Sequence, residues 1–121
     1  MATSPSASRT VTEPLLHVLM RMTVASVRGS DPDLSARQLA VFLKIYLEPG
    51  TDHTVRGLAA DLGVSKPAIT RALDRLEEYE FAKREADPQD RRSVIARRTT
   101  AGSAHLRTLG GYLAEASRQS R

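Results

Sequence analysis

Apolar side chains recur every three or four residues through most of the chain, a spacing that predicts a mainly helical protein. The first predicted helix begins at a Thr12 cap and ends near Arg28, before a Gly-Ser-Asp-Pro turn. Because this helix is apolar on more than one side, it needs two neighbours, and we expect one of them to be a partner subunit. Residues 1–11 are rich in Ser, Thr, Ala and Pro without a pattern, and we expect them to be disordered.

The second predicted helix has the clearest start in the sequence. Ser35 and Gln38 form a capping box, and an apolar face then continues as far as Leu47. The Glu-Pro-Gly sequence at residues 48–50 ends this helix. Near the end of the chain, Thr99 caps a last helix that runs to about Ser117, and its apolar residues have the spacing of a helix–helix seam: Leu106, Leu109, Leu113 and Ala116.

The segment from Thr54 to Leu76 has the pattern of a helix-turn-helix. Thr54 caps a short helix that ends at Gly63, and Ser65 caps a second helix that continues to about Tyr79. Small and apolar residues stand where two helices that cross at a large angle need them: Leu58, Ala59, Leu62, Val64, Ile69 and Ala72. An ordinary helical corner in a small bundle is the alternative interpretation.

The second helix of this segment has the pattern of a DNA-reading helix. Its apolar residues fall in one arc that faces the core: Ile69, Ala72, Leu73 and Leu76. The opposite side has short side chains at its start and basic ones further on, as a helix in the major groove requires. This side carries Pro67, Thr70, Arg71, Asp74 and Arg75. Ser65 and Lys66 stand where N-terminal backbone N–H groups would meet a phosphate. Otherwise this is a solvated face on which Arg71 and Asp74 neutralise each other.

Two strand-like runs, residues 81–86 and 93–98, predict a β-hairpin directly after the helix-turn-helix. The six residues between them, 87–92, would form a charged tip. The arginines of this tip, Arg91 and Arg92, could enter a narrow minor groove, with Asp90 holding the Arg92 guanidinium in place. The alternative is a surface hairpin with solvated arginines.

Composition narrows the class of protein. The chain has 121 residues, of which 40% are hydrophobic, so it forms one domain with a modest core. It has no Cys, and His17, His53 and His105 lack the spacing of metal ligands. No phosphate loop or catalytic constellation stands out, so we expect neither enzyme activity nor a cofactor or metal. No segment is apolar enough to span a membrane, and we expect a cytoplasmic protein.

The charge distribution favours an anionic partner. The formal net charge is +4, and the excess lies after residue 64, where twelve of the 18 basic and eight of the 14 acidic side chains occur. Such asymmetry suits nucleic acid, although many solvated surfaces are mildly basic.

These motifs resemble the MarR family of bacterial regulators over roughly residues 34–109. The resemblance rests on LSARQLAVFLKIY, TVRGLAADLGVSKPAITRALDRLE, DPQDRRS and TTAG, and its most specific parts are the SKPAIT helix start and the Asp-x-Arg pair at 90 and 92. It implies a winged helix-turn-helix that is mainly α with a small β-hairpin wing. It further implies a DNA-binding lobe over about residues 34–99 and dimerisation helices over about 13–28 and 101–117.

The resemblance implies a homodimeric transcriptional regulator that binds double-stranded DNA at a near-palindromic operator. The recognition helix would read the major groove and the wing the minor groove. The expected DNA-binding residues are Thr54, Arg56, Ser65, Lys66, Pro67, Thr70, Arg71, Arg75, Asp90, Arg91 and Arg92. Family members often bind a small-molecule effector, but no residue here identifies one. The alternative function is a winged helix that binds protein within a transcription complex and does not read DNA.

Three features depart from the family pattern. Glu80 stands where a Gly commonly follows the recognition helix, and Arg98 replaces the usual Leu before the Thr99 cap. The chain also stops before the further C-terminal helix that many members use for dimerisation. The first two leave the expected fold in place, whereas the third bears on the dimer geometry and on any effector pocket.

Overall fold

The computed structural model describes residues 5–49 and 52–119, and within them the chain is mainly helical with one small antiparallel sheet. The order of elements is α1 (Pro5–Arg28), α2 (Ala36–Leu47), β1 (His53–Thr54), α3 (Val55–Leu62), α4 (Lys66–Glu78), β2 (Lys83–Asp87), β3 (Asp90–Arg97) and α5 (Thr100–Gln119). The predicted fold class, a mainly α winged helix-turn-helix, is confirmed. None of the helices among the described residues is long and apolar enough to cross a membrane.

The first helix begins earlier than its predicted cap at Thr12. It starts at Pro5 and carries Pro14 within it, so residues 5–11 are helical where the sequence predicted a disordered tail. Proline suits the first turn of a helix, so Pro5 can begin α1, whereas Pro14 lies in its interior, where it removes one backbone hydrogen bond. Residues 1–4 of the predicted tail lie outside the described residues.

The chain folds into two compact units. One, the winged lobe, comprises Leu34–Leu106, and the other, the helical unit, comprises α1 with the chain to Asp33 and the part of α5 from Arg107. In the helical unit the Tyr112 hydroxyl donates a 2.7 Å hydrogen bond to Asp31, which raises the pKa of Tyr112 because the nearby carboxylate disfavours a phenolate.

The core of the winged lobe lies between α2, α3, α4 and the sheet. Its largest side chains that are almost completely buried come from all four: Phe42, Ile45, Leu58, Ile69, Leu73, Leu76 and Ile95. The predicted capping box of α2 is present, because Gln38 N donates to Ser35 Oγ and Ser35 N donates to Gln38 Oε1. Thr99 accepts a hydrogen bond from Gly102 N and caps α5 as predicted.

The sheet differs from the predicted hairpin at its turn. β2 and β3 pair antiparallel from Lys83 opposite Arg97 to Ala86 opposite Val94, and after a register shift Asp87 lies opposite Asp90. The predicted six-residue tip therefore shrinks to Pro88 and Gln89, while residues 91–93 lie in the irregular part of β3. Asp87 accepts a hydrogen bond from Gln89 N, and this local side-chain bond favours the tight turn. Arg91 and Arg92 therefore lie on β3 and not in a loop.

A short third strand was not predicted. β1 comprises only His53 and Thr54, and it pairs with β3 on the side away from β2, giving the order β1-β3-β2. A two-residue strand is too short to leave an alternating pattern in the sequence. It joins the start of α3 to the wing, which we define as the β2–β3 hairpin over residues 83–97.

Candidate nucleic-acid interface

The turn between α3 and α4 is fixed by local hydrogen bonds. Thr54 Oγ1 accepts from Gly57 N at 2.9 Å, and Ser65 Oγ accepts from Ala68 N at 3.2 Å, so both predicted N-caps are present. Gly63 ends α3 with φ at 67°, in the left-handed region that glycine enters most easily. The sequence therefore determines locally both the start of α4 and the turn before it.

The predicted core face of α4 is confirmed. Ile69, Leu73 and Leu76 have no exposed surface, and Ala72 is almost completely buried. Ala68 is buried as well, which was not predicted. Its side chain points inward one residue before the predicted arc, so the buried stripe of α4 is wider at its N-terminal end.

The predicted outer face of α4 is exposed along its length. Like Ser65 and Lys66 before them, all of its predicted members are exposed: Pro67, Thr70, Arg71, Asp74 and Arg75. Among the described residues neither Lys66 nor Arg71 has an ion-pair or hydrogen-bond partner for its side chain. The alternative in which Arg71 and Asp74 neutralise each other is wrong, because Asp74 instead binds Arg84 Nη2 at 2.6 Å. The Arg71 guanidinium is therefore solvated, and its N–H donors are available to an external hydrogen-bond acceptor.

Arg75 differs from Arg71 although it lies one helical turn further along the same side. Its guanidinium binds Glu78 at 2.9 Å and lies 4.9 Å from the centre of the Tyr79 ring. The hydrogen bond with Glu78 raises the pKa of Arg75, with a smaller contribution from Tyr79. Arg75 is thus held within its own helix, and a new acceptor would have to compete with Glu78.

Thr54 and Arg56 belong to the start of α3. The Thr54 side chain is committed to the cap, and Arg56 is exposed without a side-chain partner among the described residues. An exposed guanidinium beside a helix N-terminus suits a phosphate.

On the wing, Asp90 lies next to Arg92. Asp90 Oδ1 accepts from Arg92 N at 3.1 Å and lies 3.7 Å from Arg92 Nε, and Oδ2 accepts from Ser93 Oγ at 3.4 Å. The Arg92 side chain is nevertheless 96% exposed, and Arg91 beside it is exposed too. The wing therefore presents two solvated guanidinium groups, one of them beside a carboxylate.

Other arginines of the lobe are occupied by structural ion pairs. Arg97 on β3 binds Glu85 on β2 and Asp52 before β1, and its hydrogen bond with Glu85 raises its pKa despite partial burial. Arg84 on β2 binds Asp74 and Glu77 of α4. Neither cluster was predicted, because the partners are separated by seven to 45 residues and no periodic pattern connects them.

A comparison with known families decides the class of this protein. The model of the MarR family matches residues 34–94, which is half of the chain and covers α2, the helix-turn-helix and most of the wing. The chain belongs to the MarR family. No cluster of three or more metal-ligating side chains occurs within the part of this MarR-family chain that the structure describes.

Known proteins agree with this assignment. A Bacillus subtilis protein described as an uncharacterized HTH-type transcriptional regulator, YcgE, is 36% identical over 64 residues, and this match spans 53% of our chain and 42% of the relative. The chain thus spans less than half the length of that relative. The crystal structure of MarR has a TM-score of 0.63 at 27% identity, and the match covers 93% of our chain and 78% of MarR.

Two further structures share the fold alone. A Thermotoga maritima transcriptional regulator, Tm0710, has a TM-score of 0.71 at 23% identity, with 96% of our chain and 75% of its own covered. The DNA complex of Staphylococcus aureus MepR has a TM-score of 0.63 at 19% identity, with 91% of our chain and 81% of its own covered. The winged helix-turn-helix is therefore the common fold of all these proteins.

The two departures from the MarR pattern within the lobe have visible consequences. Glu80 has φ at 62°, so it occupies the left-handed region in which a glycine would be unstrained. Arg98 turns its Nε to the Ile45 carbonyl at 2.9 Å and does not fill an apolar site.

Proposed function

We propose that this MarR-family transcriptional regulator binds double-stranded DNA as a homodimer, with α4 in the major groove and the wing in the minor groove. The observation that carries the proposal is the contrast between the two sides of α4. Its inner side is buried, whereas its outer side presents Lys66 and Arg71 as solvated cations without a partner among the described residues. A helix anchored in this way can enter a groove as a rigid body.

We assign base reading to Arg71 and phosphate contact to the residues around it. Arg71 has the short Thr70 beside it, so the helix could lie deep in the groove, and a free guanidinium can pair with guanine O6 and N7. Ser65, Lys66, Pro67 and the start of α3 with Thr54 and Arg56 would meet the sugar-phosphate backbone. Arg75 is paired with Glu78 in the free protein. We assign it a phosphate contact in which the phosphate competes with Glu78 for the guanidinium.

We assign minor-groove contact to the wing. Arg91 and Arg92 are exposed on β3, and the Asp90 carboxylate lies close enough to Arg92 to orient its guanidinium. Narrow A·T-rich minor grooves attract arginine because of their negative potential. A DNA complex of the structurally similar MepR supports DNA as the partner of this fold.

The homodimer is supported by the surface of the helical unit. Seven large apolar side chains there are at least two-fifths exposed: Leu15, Leu16, Leu19, Met20, Val24, Val27 and Leu113. Isolated chains do not usually leave so many large apolar side chains in contact with water, and a second copy would cover them. We therefore retain dimerisation through about residues 13–28 and 101–117, with two lobes facing a near-palindromic operator.

The test begins with selection of bound sites from a random duplex pool. The selected duplex and a scrambled duplex are then titrated at several salt concentrations, and sedimentation gives the mass of the protein with and without DNA. We expect a palindromic consensus, twice the chain mass, and a slope of log affinity against log salt of about −0.9 per phosphate contact. A protein that binds other proteins and not DNA would give no consensus and no steep salt dependence.

A further inference from the structure

Arg84 joins the recognition helix to the wing through four hydrogen bonds from three of its atoms, of which Nη2 donates to both Asp74 and Glu77. Its backbone N donates to Glu77 Oε2 at 3.0 Å, its Nε donates to Glu77 Oε1 at 2.9 Å, and its Nη2 donates to Asp74 Oδ1 at 2.6 Å. The acceptors lie on α4 and the donor residue on β2. Main-chain and side-chain bonds together therefore fix the wing strand against the helix.

The same contacts neutralise negative charge on the recognition helix. The second half of α4 carries Asp74, Glu77 and Glu78, and these carboxylates would repel DNA phosphates. Glu78 is paired with Arg75 in its own helix, so Asp74 and Glu77 depend on Arg84. Burial alone would lower the pKa of Arg84, but the hydrogen bonds with Glu77 and Asp74 outweigh it and the pKa is raised.

The Arg84 side chain is only about one quarter exposed, and both its Nε and its Nη2 are already bound within the protein. It is therefore a poor candidate for a direct phosphate contact, unlike Arg71 or Arg92. Any effect of Arg84 on DNA binding should pass through the carboxylates that it holds and the strand that it anchors.

We propose that Arg84 is a positioning residue for DNA binding, which fixes the wing relative to the recognition helix and neutralises Asp74 and Glu77 without touching the DNA. This inference rests on the proposed function. It also explains how the acidic half of α4 can lie beside the groove that the basic half enters. The wing and the helix would then approach DNA as one unit.

The experiment compares Arg84→Gln with Arg97→Gln in duplex titrations. Arg97 is a matched control, because it also lies in the sheet and binds two carboxylates, Glu85 and Asp52, but makes no contact with α4 through them. We expect Arg84→Gln to weaken binding of the selected duplex by between about threefold and a hundredfold, the range for residues coupled in one ion-pair network. Arg97→Gln should change affinity by less than about twofold.

A triple variant separates positioning from direct contact. Arg84→Gln combined with Asp74→Asn and Glu77→Gln removes the carboxylates that Arg84 compensates and leaves amides that can still hydrogen-bond. If Arg84 acts through these carboxylates, the triple variant recovers most of the affinity and keeps the wild-type salt slope. If Arg84 touches a phosphate, affinity stays low and the slope falls by about 0.9, which would overturn the proposal.

A measurement without DNA tests the clamp itself. The Arg84 Nε–H should exchange with solvent much more slowly in nuclear magnetic resonance spectra than that of Arg92, and Glu77→Ala, which removes the acceptor, should abolish the difference. Equal exchange in the wild type overturns this inference and leaves the proposed function standing. If the wild-type protein prefers no duplex, the proposed function is overturned and this inference with it. If the wild-type protein binds the selected duplex and the Arg84→Gln variant binds it equally well, the inference alone is overturned.

Discussion

Replacement of Tyr46 with Phe should destabilise the winged lobe, although it removes a single oxygen atom. The Tyr46 hydroxyl donates a 2.6 Å hydrogen bond to the Phe81 carbonyl and accepts a 3.0 Å bond from Thr99 N. One buried oxygen atom therefore joins α2 to the chain after α4 and to the cap of α5. A phenyl ring in its place can make neither bond.

The magnitude follows from what the deletion leaves behind. Tyr46 is only 8% exposed and its ring lies 4.6 Å from the Phe42 ring, so the phenyl group of the variant keeps its packing. The loss is that of two bonds, with a buried carbonyl and a part-buried N–H left unsatisfied at about 1–3 kcal/mol per group. Since the N–H can recover some solvation, we expect a total of about 2–3 kcal/mol. At about 4 °C per kcal/mol for a chain of this size, Tm should fall by about 10 °C.

The assay is urea unfolding followed by far-ultraviolet circular dichroism, with the variant and wild type at equal protein concentration. The midpoint should fall while the slope m stays constant, because the folded structure still buries the same surface. Tyr112→Phe is the matched control. It removes one hydroxyl bond, to Asp31, at a half-buried site of the helical unit, and we expect a loss of about 1 kcal/mol or less. A loss below about 0.5 kcal/mol in Tyr46→Phe would show that this hydroxyl does not hold the three segments together.

Further predictions concern backbone strain, the helix interface and the two DNA contacts. Glu80→Gly should stabilise the protein by up to about 1 kcal/mol in the same urea assay, because Glu80 has φ at 62° and a glycine relieves that strain; a destabilised variant would contradict this. A Cβ added at Gly110 would meet nothing within 4 Å among the described residues, so Gly110→Ala should stabilise the helix of the monomer by about 1 kcal/mol. A weaker dimer in sedimentation of this variant would show that a second copy packs against Gly110. Arg71→Ala should relax preference at one base pair of each half-site by about 1–3 kcal/mol, whereas Arg75→Ala should lower affinity evenly across sequences; titration of single-base variants decides, and the opposite outcome reverses the two roles. Arg92→Ala should weaken binding to all duplexes and reduce the slope of log affinity against log salt by about one unit. Asp90→Ala should show a milder loss of affinity, and an Arg92→Ala variant that binds as tightly as the wild type would show that the wing stays in solvent.

The parts of the fold that could be predicted are those with a local cause. Ser35, Thr54 and Ser65 each cap a helix through a hydrogen bond to the backbone three residues later, so four adjacent letters contain the whole signal. Gly63 marks a left-handed residue in the same way. The helix-turn-helix was predictable because its turn, its caps and its buried face lie within 23 consecutive residues.

The parts that could not be predicted depend on residues brought together from a distance. The hydroxyl of Tyr46 meets Phe81 and Thr99, 35 and 53 residues later in the chain, and neither partner is unusual in the sequence. Arg84 finds Glu77 and Asp74 only because β2 turns back along α4. Ion pairs and buried hydroxyls of this kind have no period, so sequence patterns give no indication of them.

The Asp90–Arg92 pair shows how a contact between two side chains can be predicted correctly within a wrongly predicted element. The sequence pattern placed both residues in a six-residue loop, in which Asp90 could approach Arg92 in many ways. The structure places them on β3 at a register shift, where the residues opposite β2 pass from Val94 to Asp90 and residues 91–93 have no partner on β2. There Asp90 Oδ1 accepts a hydrogen bond from Arg92 N and lies 3.7 Å from Arg92 Nε, so a local side-chain bond brings the two residues together. A guanidinium that is 96% exposed and yet lies beside a carboxylate bonded to its own backbone is better prepared for a narrow groove than an unrestrained one, because less conformational freedom is lost on binding.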